Sequence, residues 1–180
     1  FPDGEFELFA GVADAGRLLA AIDAPLDADA LSEGRLFDGG PVLRIEGRYR
    51  AFARYETALL GFLSAASGMA TAALDVRRAA PETTLLSFGA RHRHPSVAAV
   101  VERSALVGGF DGFSHVAAGD ALGREPSGTM PHALVICFGR GKQEAAWRAY
   151  AATVDDGPVV TLCDTYDDEV NEAIRAAELG

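Results

Sequence analysis

Apolar residues recur at helical spacing over residues 11–22. Val12, Ala15, Leu18, Leu19 and Ile22 share one face there, and Pro25 follows the expected end. Residues 26–40 read as turn-rich, with Ser32-Glu33-Gly34 and Asp38-Gly39-Gly40, and Pro41 to Ile45 predicts a strand closed by Gly47. The longest helical pattern runs from Arg54 to about Ala79, where Leu59, Leu60, Leu63, Ala66, Met69, Ala70 and Ala73 form a broad apolar face. Gly61 and Gly68 each weaken that helix by roughly 1 kcal/mol relative to alanine. Their presence predicts close approach of another backbone rather than a break.

Pro81 marks a change of rhythm and the expected domain boundary, 1–82 against 83–180. Leu85 to Phe88 predicts a short strand, followed by the polar run Gly89-Ala90-Arg91-His92-Arg93-His94. A helix opened by Pro95 extends to Val107, since proline suits a first helical turn. Asp111 to Ser114 is a weaker strand, with a helical turn over Val116–Leu122 behind it. Ser127-Gly128-Thr129 turns the chain into an apolar helix from Met130 to Phe138, and a polar helix spans about 142–152. Pro158 to Cys163 predicts a buried strand, and 167–178 the last helix.

Strands alternating with helices indicate α/β architecture built from parallel βα units. In such folds, chemistry gathers beyond the C-terminal ends of the strands. Arg91 to His94, Asp111, Ser127 to Thr129 and Asp164 are all expected in that position. About four units are visible, against the eight of a closed barrel. The alternatives are a small open sheet and a barrel cut midway. A first residue other than methionine fits an interior piece.

Composition narrows the function classes. The chain of 180 residues is 49% hydrophobic and carries a formal net charge of -10, with Lys142 its single lysine. This acidity suits a high-salt cytoplasm and equally an ordinary acidic bacterial enzyme. It argues against non-specific binding to nucleic acid or anionic lipid, so anionic ligands must be held by local arginines and backbone N–H groups. No signal peptide is legible, no apolar run is expected to reach the roughly 18 residues of a membrane span, and a cytoplasmic location follows. Cys137 and Cys163 sit in apolar runs without metal-binding spacing and are expected to be buried thiols.

Four groups carry candidate chemistry. Arg91, His92, Arg93 and His94 suit an anion-binding loop, because arginine grips a carboxylate or phosphate with two parallel hydrogen bonds. An exposed basic turn and a metal-dependent hydrolase site of His92, His94, His132 and Asp164 are the alternatives. Ser127, Gly128 and Thr129 lead into a helix whose first N–H groups suit a phosphate, with His132 in its first turn. Asp111 and Asp164 fit helix caps, or acids that bind ribose hydroxyls, a cationic intermediate or Mg²⁺. Glu56 opens a long helix, where a negative charge is favourable. His115 reads as structural.

These residues resemble the nicotinate phosphoribosyltransferase family in its archaeal or short bacterial form. The matching stretches are Arg54-Tyr55-Glu56-Thr57-Ala58-Leu59-Leu60-Gly61, Ser87-Phe88-Gly89-Ala90-Arg91 with His94-Pro95, Gly108-Gly109-Phe110-Asp111-Gly112, Ser127-Gly128-Thr129-Met130-Pro131-His132-Ala133-Leu134, and Leu162-Cys163-Asp164-Thr165-Tyr166. They hold order and spacing over roughly residues 30–180.

The resemblance implies an N-terminal α/β domain beside the first part of an irregular, incomplete α/β barrel of the type II phosphoribosyltransferase kind, in a homodimer or higher homo-oligomer. It implies that nicotinate and 5-phosphoribosyl-1-diphosphate give nicotinate mononucleotide and diphosphate, a step of NAD biosynthesis, with Mg²⁺ and coupled ATP hydrolysis through a phosphohistidine. On that pattern Arg91, helped by His92 and Arg93, binds the substrates. Asp111 lies beside the pyridine ring, Ser127, Gly128 and Thr129 form the phosphoryl site, His132 is phosphorylated, and Asp164 lies near the ribose or the diphosphate. Glu56 matches a position in the N-terminal domain. His92 departs from a second arginine common in the family, and the later phosphate-holding strands lie beyond Gly180. A non-catalytic assembly module that keeps the fold is the remaining alternative.

Overall fold

A computed structural model describes residues 6–128, 130–155, 159–166 and 168–179. The chain folds as two compact units, Phe1–Ser127 and Gly128–Gly180. This packing division falls later than the 82/83 boundary expected from the change of rhythm, because the long helix and the helix after Pro95 pack together.

In the first unit the strands β1 (Glu7–Leu8) and β3 (Leu36–Phe37) pair antiparallel. Strand β2 (Leu26–Ala30) pairs antiparallel with β4 (Leu43–Gly47), from Leu26 opposite Gly47 to Ala30 opposite Leu43. β2 lies in the stretch read as turn-rich. Its sequence, Leu-Asp-Ala-Asp-Ala, puts its only large apolar side chain at the end, so period-2 patterning was too weak to signal it. Helix α1 (Val12–Ala20) buries Ala15 and Leu19 against Phe9, Leu59 and Leu63.

Helix α2 (Tyr49–Phe52) and a 3-10 turn (Ala53–Tyr55) lead into α3 (Glu56–Ala79). Leu59, Leu63, Ala66, Ser67, Ala70 and Ala73 are the buried face of α3, at helical spacing. The expected close approach at Gly61 and Gly68 is not found, since a Cβ at either would meet nothing within 4 Å. The close contacts are instead made to the alanine stripe. A Cβ on Gly108 would lie 2.4 Å from Ala73 Cβ, and one on Gly11 would lie 2.4 Å from the Phe62 carbonyl oxygen. Small residues face small residues, which lets backbones approach.

Tyr49–Ala79 is also, by length and composition, apolar enough to cross a membrane, with mean hydropathy 1.5 over its most apolar window. That corrects the expectation that no segment approaches a span. The alanine, glycine and serine content made the run look less apolar than its lack of charge between Thr57 and Leu74 makes it. The buried stripe of this helix is core in the first unit.

Helix α4 (Ala98–Val107), entered through a 3-10 turn at Pro95–Val97, packs on α3. Arg103 of α4 forms a two-pronged ion pair with Glu33, whose Oε1 lies 2.7 Å from Arg103 Nη1 and also accepts the Gly11 N–H at 2.7 Å. Burial alone would raise the Glu33 carboxyl, but the Arg103 bond and the Gly11 N–H together hold it below its usual value. Strands β5 (Leu86–Ser87) and β6 (Gly112–Phe113) pair in parallel around α4, Leu86 opposite Gly112 and Ser87 opposite Phe113. Helix α5 (Val116–Leu122) follows. Among the described residues the sheets are open, each two-stranded, as expected of an incomplete barrel.

The second unit holds α6 (His132–Phe138), α7 (Gln143–Ala151) and α8 (Glu169–Ala177). Met130, Val135, Ala146 and Trp147 form its core. The strand expected over 158–163 does not form among its described residues, 159–163, which have no ladder. Pro158 lies outside the described residues. Single carbonyls are used instead: Leu162 O accepts the Trp147 indole N–H at 2.8 Å. A strand requires a partner, and an apolar run alone does not supply one. Neither cysteine is buried, Cys137 being exposed and Cys163 intermediate. Cys137 lies two residues past buried Val135, which turns it toward the opposite side of α6.

Candidate functional site

The parallel pair β5–β6 fixes where chemistry can gather in the first unit. β5 leaves its C-terminal end through Phe88 into a 3-10 turn at Gly89–His92, and β6 leaves at the same level through Ser114 into α5. A cavity of about 510 Å³ lies there, lined by Arg91, Ser114, His115 and Asp120 with apolar walls that include Phe88 and Val116. A cavity beyond the C-terminal ends of parallel strands is the usual ligand position of α/β folds.

Of the four basic residues expected to form an anion loop, only Arg91 lines this cavity. The backbone here is a 3-10 turn over Gly89–His92, which carries Arg91 to the cavity. His92 and Arg93 are exposed. His94 is a cap: its Nδ1 accepts the Ser96 N–H at 3.2 Å and lies 2.7 Å from Ser96 Oγ.

Asp111 is not beyond a strand's C-terminal end, as expected, but immediately before β6. It belongs to the N-terminal edge of the parallel pair. Its N–H donates to Leu85 O at 2.8 Å, and its Oδ2 accepts the Leu85 N–H at 2.8 Å and Arg77 Nη2 at 2.5 Å. Arg77 also donates to the carbonyls of Gly109, Ala80, Pro81 and Thr83. The Leu85 N–H, and next the Arg77 guanidinium, hold the Asp111 carboxyl below the usual carboxylate range. The expected strand 111–114 opens with Asp111, so a place beyond a strand's C-terminal end did not follow from it.

Ser127 runs beside β6, its N–H donating to Phe113 O at 2.6 Å. Gly128 is exposed, and Thr129 lies outside the described residues. Glu56, in the first turn of α3, lines a different and mostly apolar cavity of about 670 Å³ with Tyr49, Phe52, Leu59 and Leu60.

The second unit gathers His132, Asp164 and Thr165. His132 opens α6 as expected, and its side chain is 45% exposed, open enough to react. Its Nδ1 lies 3.2 Å from Thr165 Oγ1, while Nε2 lies 3.8 Å from Asp164 Oδ1, within ion-pair range and beyond hydrogen-bond reach. One nitrogen is oriented by Thr165, and the other lies beside the Asp164 carboxylate without a hydrogen bond to it. Asp164 does not cap α8; Asp168 does, accepting the N–H groups of Val170 at 2.9 Å and Asn171 at 3.2 Å.

The metal-hydrolase alternative finds no support. His92 and His94 are solvent-facing or engaged in capping, and among the described residues no three His, Cys, Asp or Glu side chains gather as a metal site requires. Sequence reasoning missed Ser114 and His115. The available signal was their place directly after Phe113, at the level where β5 releases Arg91.

Residues 2–67 match the family described as quinolinate phosphoribosyl transferase, N-terminal domain. A nicotinate phosphoribosyltransferase of Bacillus subtilis (strain 168) is 35% identical over 154 residues, 83% of this chain and 31% of that protein. A nicotinate-nucleotide pyrophosphorylase structure from Pyrococcus furiosus aligns with a TM-score of 0.89 at 43% identity, over 97% of this chain and 44% of that one. The chain has a type II phosphoribosyltransferase-like fold. A human nicotinic acid phosphoribosyltransferase structure shares it, with a TM-score of 0.68 and 30% identity over 74% of this chain and 33% of that one. This phosphoribosyltransferase-like chain spans about a third of the length of its Bacillus relative. The low-identity likeness to NadC of Streptococcus pyogenes, 20% at a TM-score of 0.56, speaks for the fold alone.

Proposed function

We propose that this chain carries the acceptor-binding and phosphoryl-handling parts of a cytoplasmic nicotinate phosphoribosyltransferase. The observation that carries the reading is Arg91, placed beyond β5 in a cavity with apolar walls. Arginine binds a carboxylate through two parallel hydrogen bonds, and apolar walls suit the faces of a pyridine ring. The names of the Bacillus and human relatives support nicotinate as the acceptor.

In this reading the nicotinate ring nitrogen forms a bond to C1 of 5-phosphoribosyl-1-diphosphate as the bond to diphosphate breaks. Positive charge develops on the ribose, where a carboxylate lowers the barrier, and the family pattern assigns that role to Asp164. The family pattern assigns Ser127, Gly128 and Thr129 to a phosphoryl group. ATP, when bound, would supply that group: the His132 nitrogen that Thr165 leaves free would bond to the γ-phosphorus as the bond to the β-phosphate oxygen breaks and ADP leaves. Mg²⁺ would be held mostly by phosphate oxygens and water, which needs no three-ligand cluster from the chain. We assign Asp111 to holding the sheet edge rather than the ring, and Glu56 to the apolar cavity before α3. That cavity, with exposed Tyr49 and Leu60 nearby, supports a homo-oligomer. The 1–82 and 83–180 segments correspond to the N-terminal domain portion and the start of the barrel.

The test is diphosphate release by the full native polypeptide. Release that requires both nicotinate and 5-phosphoribosyl-1-diphosphate is expected, as is acid-labile labelling from γ-labelled ATP that disappears in His132→Asn. Binding of both substrates without nucleotide formation would leave the assembly-module reading in its place. One observation favours quinolinate as the acceptor instead, the match of residues 2–67 to the quinolinate family. Turnover of quinolinate in preference to nicotinate would decide for it.

A further inference from the structure

The fold gives His115 no work. It stands at the N-cap position of α5, yet its side chain makes no capping bond. No ion pair involves it among the described residues, and its Nδ1 is buried without a hydrogen-bond partner. Buried ring nitrogens are normally satisfied, so an idle one asks for an explanation outside the resting fold. Its ring lines the cavity that Arg91 also lines, the two leaving adjacent parallel strands at the same level.

We propose that His115 is the specificity-determining partner of Arg91, a second hydrogen-bond donor that favours an aromatic carboxylate over the matching carboxamide. This rests on the reading of the cavity as the acceptor site. Arg91 supplies a planar fork of N–H donors, and Ser114 adds a hydroxyl on the β6 side. A carboxylate has about four lone-pair sites. Arg91 fills two of these in a bidentate grip, and the Nε2–H of His115, whose Nδ1 is closed off from the cavity, suits a third. A carboxamide has one acceptor oxygen, and its NH₂ group meets donors it cannot accept. Once the bound ring excludes water from the carboxylate end, an unmatched donor costs more than a missing contact, so the discrimination falls on the amide. Phe88, Ala90, Val116 and Ala117 give the apolar walls for the ring that carries the carboxylate.

The experiment compares nicotinate and nicotinamide as acceptors for the full native polypeptide and for His115→Phe and His115→Gln. Phenylalanine keeps a flat ring and removes both nitrogens, and glutamine restores a donor. For His115→Phe the nicotinate KM is expected to rise about tenfold or more, as for loss of one hydrogen bond to a charged group. The nicotinamide KM should change less than about twofold, kcat should fall less than KM rises, and His115→Gln should recover part of the nicotinate affinity. Equal losses for both acceptors, or an unchanged nicotinate KM in a wild type that turns nicotinate over, would overturn the role of His115 alone. A wild type that binds neither acceptor would instead remove the underlying reading. If the phenylalanine variant does not fold, the glutamine variant decides by the same ratio of KM values.

Discussion

The two ends of the β5–β6 pair are built from similar residues and used in opposite ways. At the N-terminal edge, an arginine and an aspartate are bonded to each other, to Leu85 and to four backbone carbonyls. At the C-terminal end, Arg91 and Asp120 line open space, and His115 has a nitrogen with no partner. A cation whose donors are all engaged has nothing left for a ligand, whereas one that faces a cavity keeps its hydrogen-bonding capacity for whatever enters. On the proposed reading, stability and binding fall at opposite ends of the same two strands, the arrangement described for complete barrels.

The largest effect that could break this comparison is on Arg91. Arg91→Gln should lower kcat/KM for nicotinate by about 100-fold or more, the scale of losing a bidentate charged contact at about 1.5–3 kcal/mol per bond. Its unfolding free energy should stay within about 0.5 kcal/mol of wild type, because the side chain is exposed and supports no packing. A large loss of stability with activity retained per folded molecule would put Arg91 in the same class as Arg77.

Arg77→Met should do the reverse. It leaves the carbonyls of Ala80, Pro81, Thr83 and Gly109 without their common donor and frees Asp111. A loss of about 2 kcal/mol in urea unfolding is expected, with kcat/KM per folded molecule changed less than about threefold. Arg77→Lys should recover little, since an ammonium cannot span several acceptors as a guanidinium does. A collapse in nicotinate turnover with normal stability would move the active end of the sheet to Asp111.

The sequence carried this division only in part. The helices from Val12 and Glu56 were legible because each buries a stripe at helical spacing, the one from Ala98 because a proline opens it, and the place of Arg91 because it follows a strand and a glycine. β2 was not, since alternating aspartates and alanines carry no apolar signal, and its existence depends on β4 lying opposite. The edge position of Asp111 was legible, since the expected strand 111–114 opens with it, but its bond to Arg77, 34 residues away, was not. His115 was passed over because a lone histidine is most often structural, and only the shared cavity and the idle nitrogen separate it from that class. The clasp of Arg103 and Glu33 was equally hidden, joining residues 70 apart in the chain.

The smallest effect, and the sharpest check on the comparison, is the pH dependence at Asp111. Its folded pKa lies below the ordinary value, first through the Leu85 N–H and then through Arg77. A carboxyl lowered on folding adds stability above its unfolded pKa, and that contribution is lost as pH falls through the folded pKa. Glu33 is lowered too and fades in the same direction, so acid unfolding of the wild type alone cannot isolate Asp111. The informative quantity is the stability difference between wild type and Asp111→Asn followed from neutral to acid pH. It should be largest near neutrality and shrink toward acid, because the wild-type carboxyl becomes neutral like the amide while Glu33 titrates identically in both proteins. The acid limb of nicotinate turnover should be the same in both, measured as activity per folded molecule. An acid limb that moves with Asp111→Asn would mean that this carboxylate acts on the substrate, and the two ends of the sheet would no longer be separate in function.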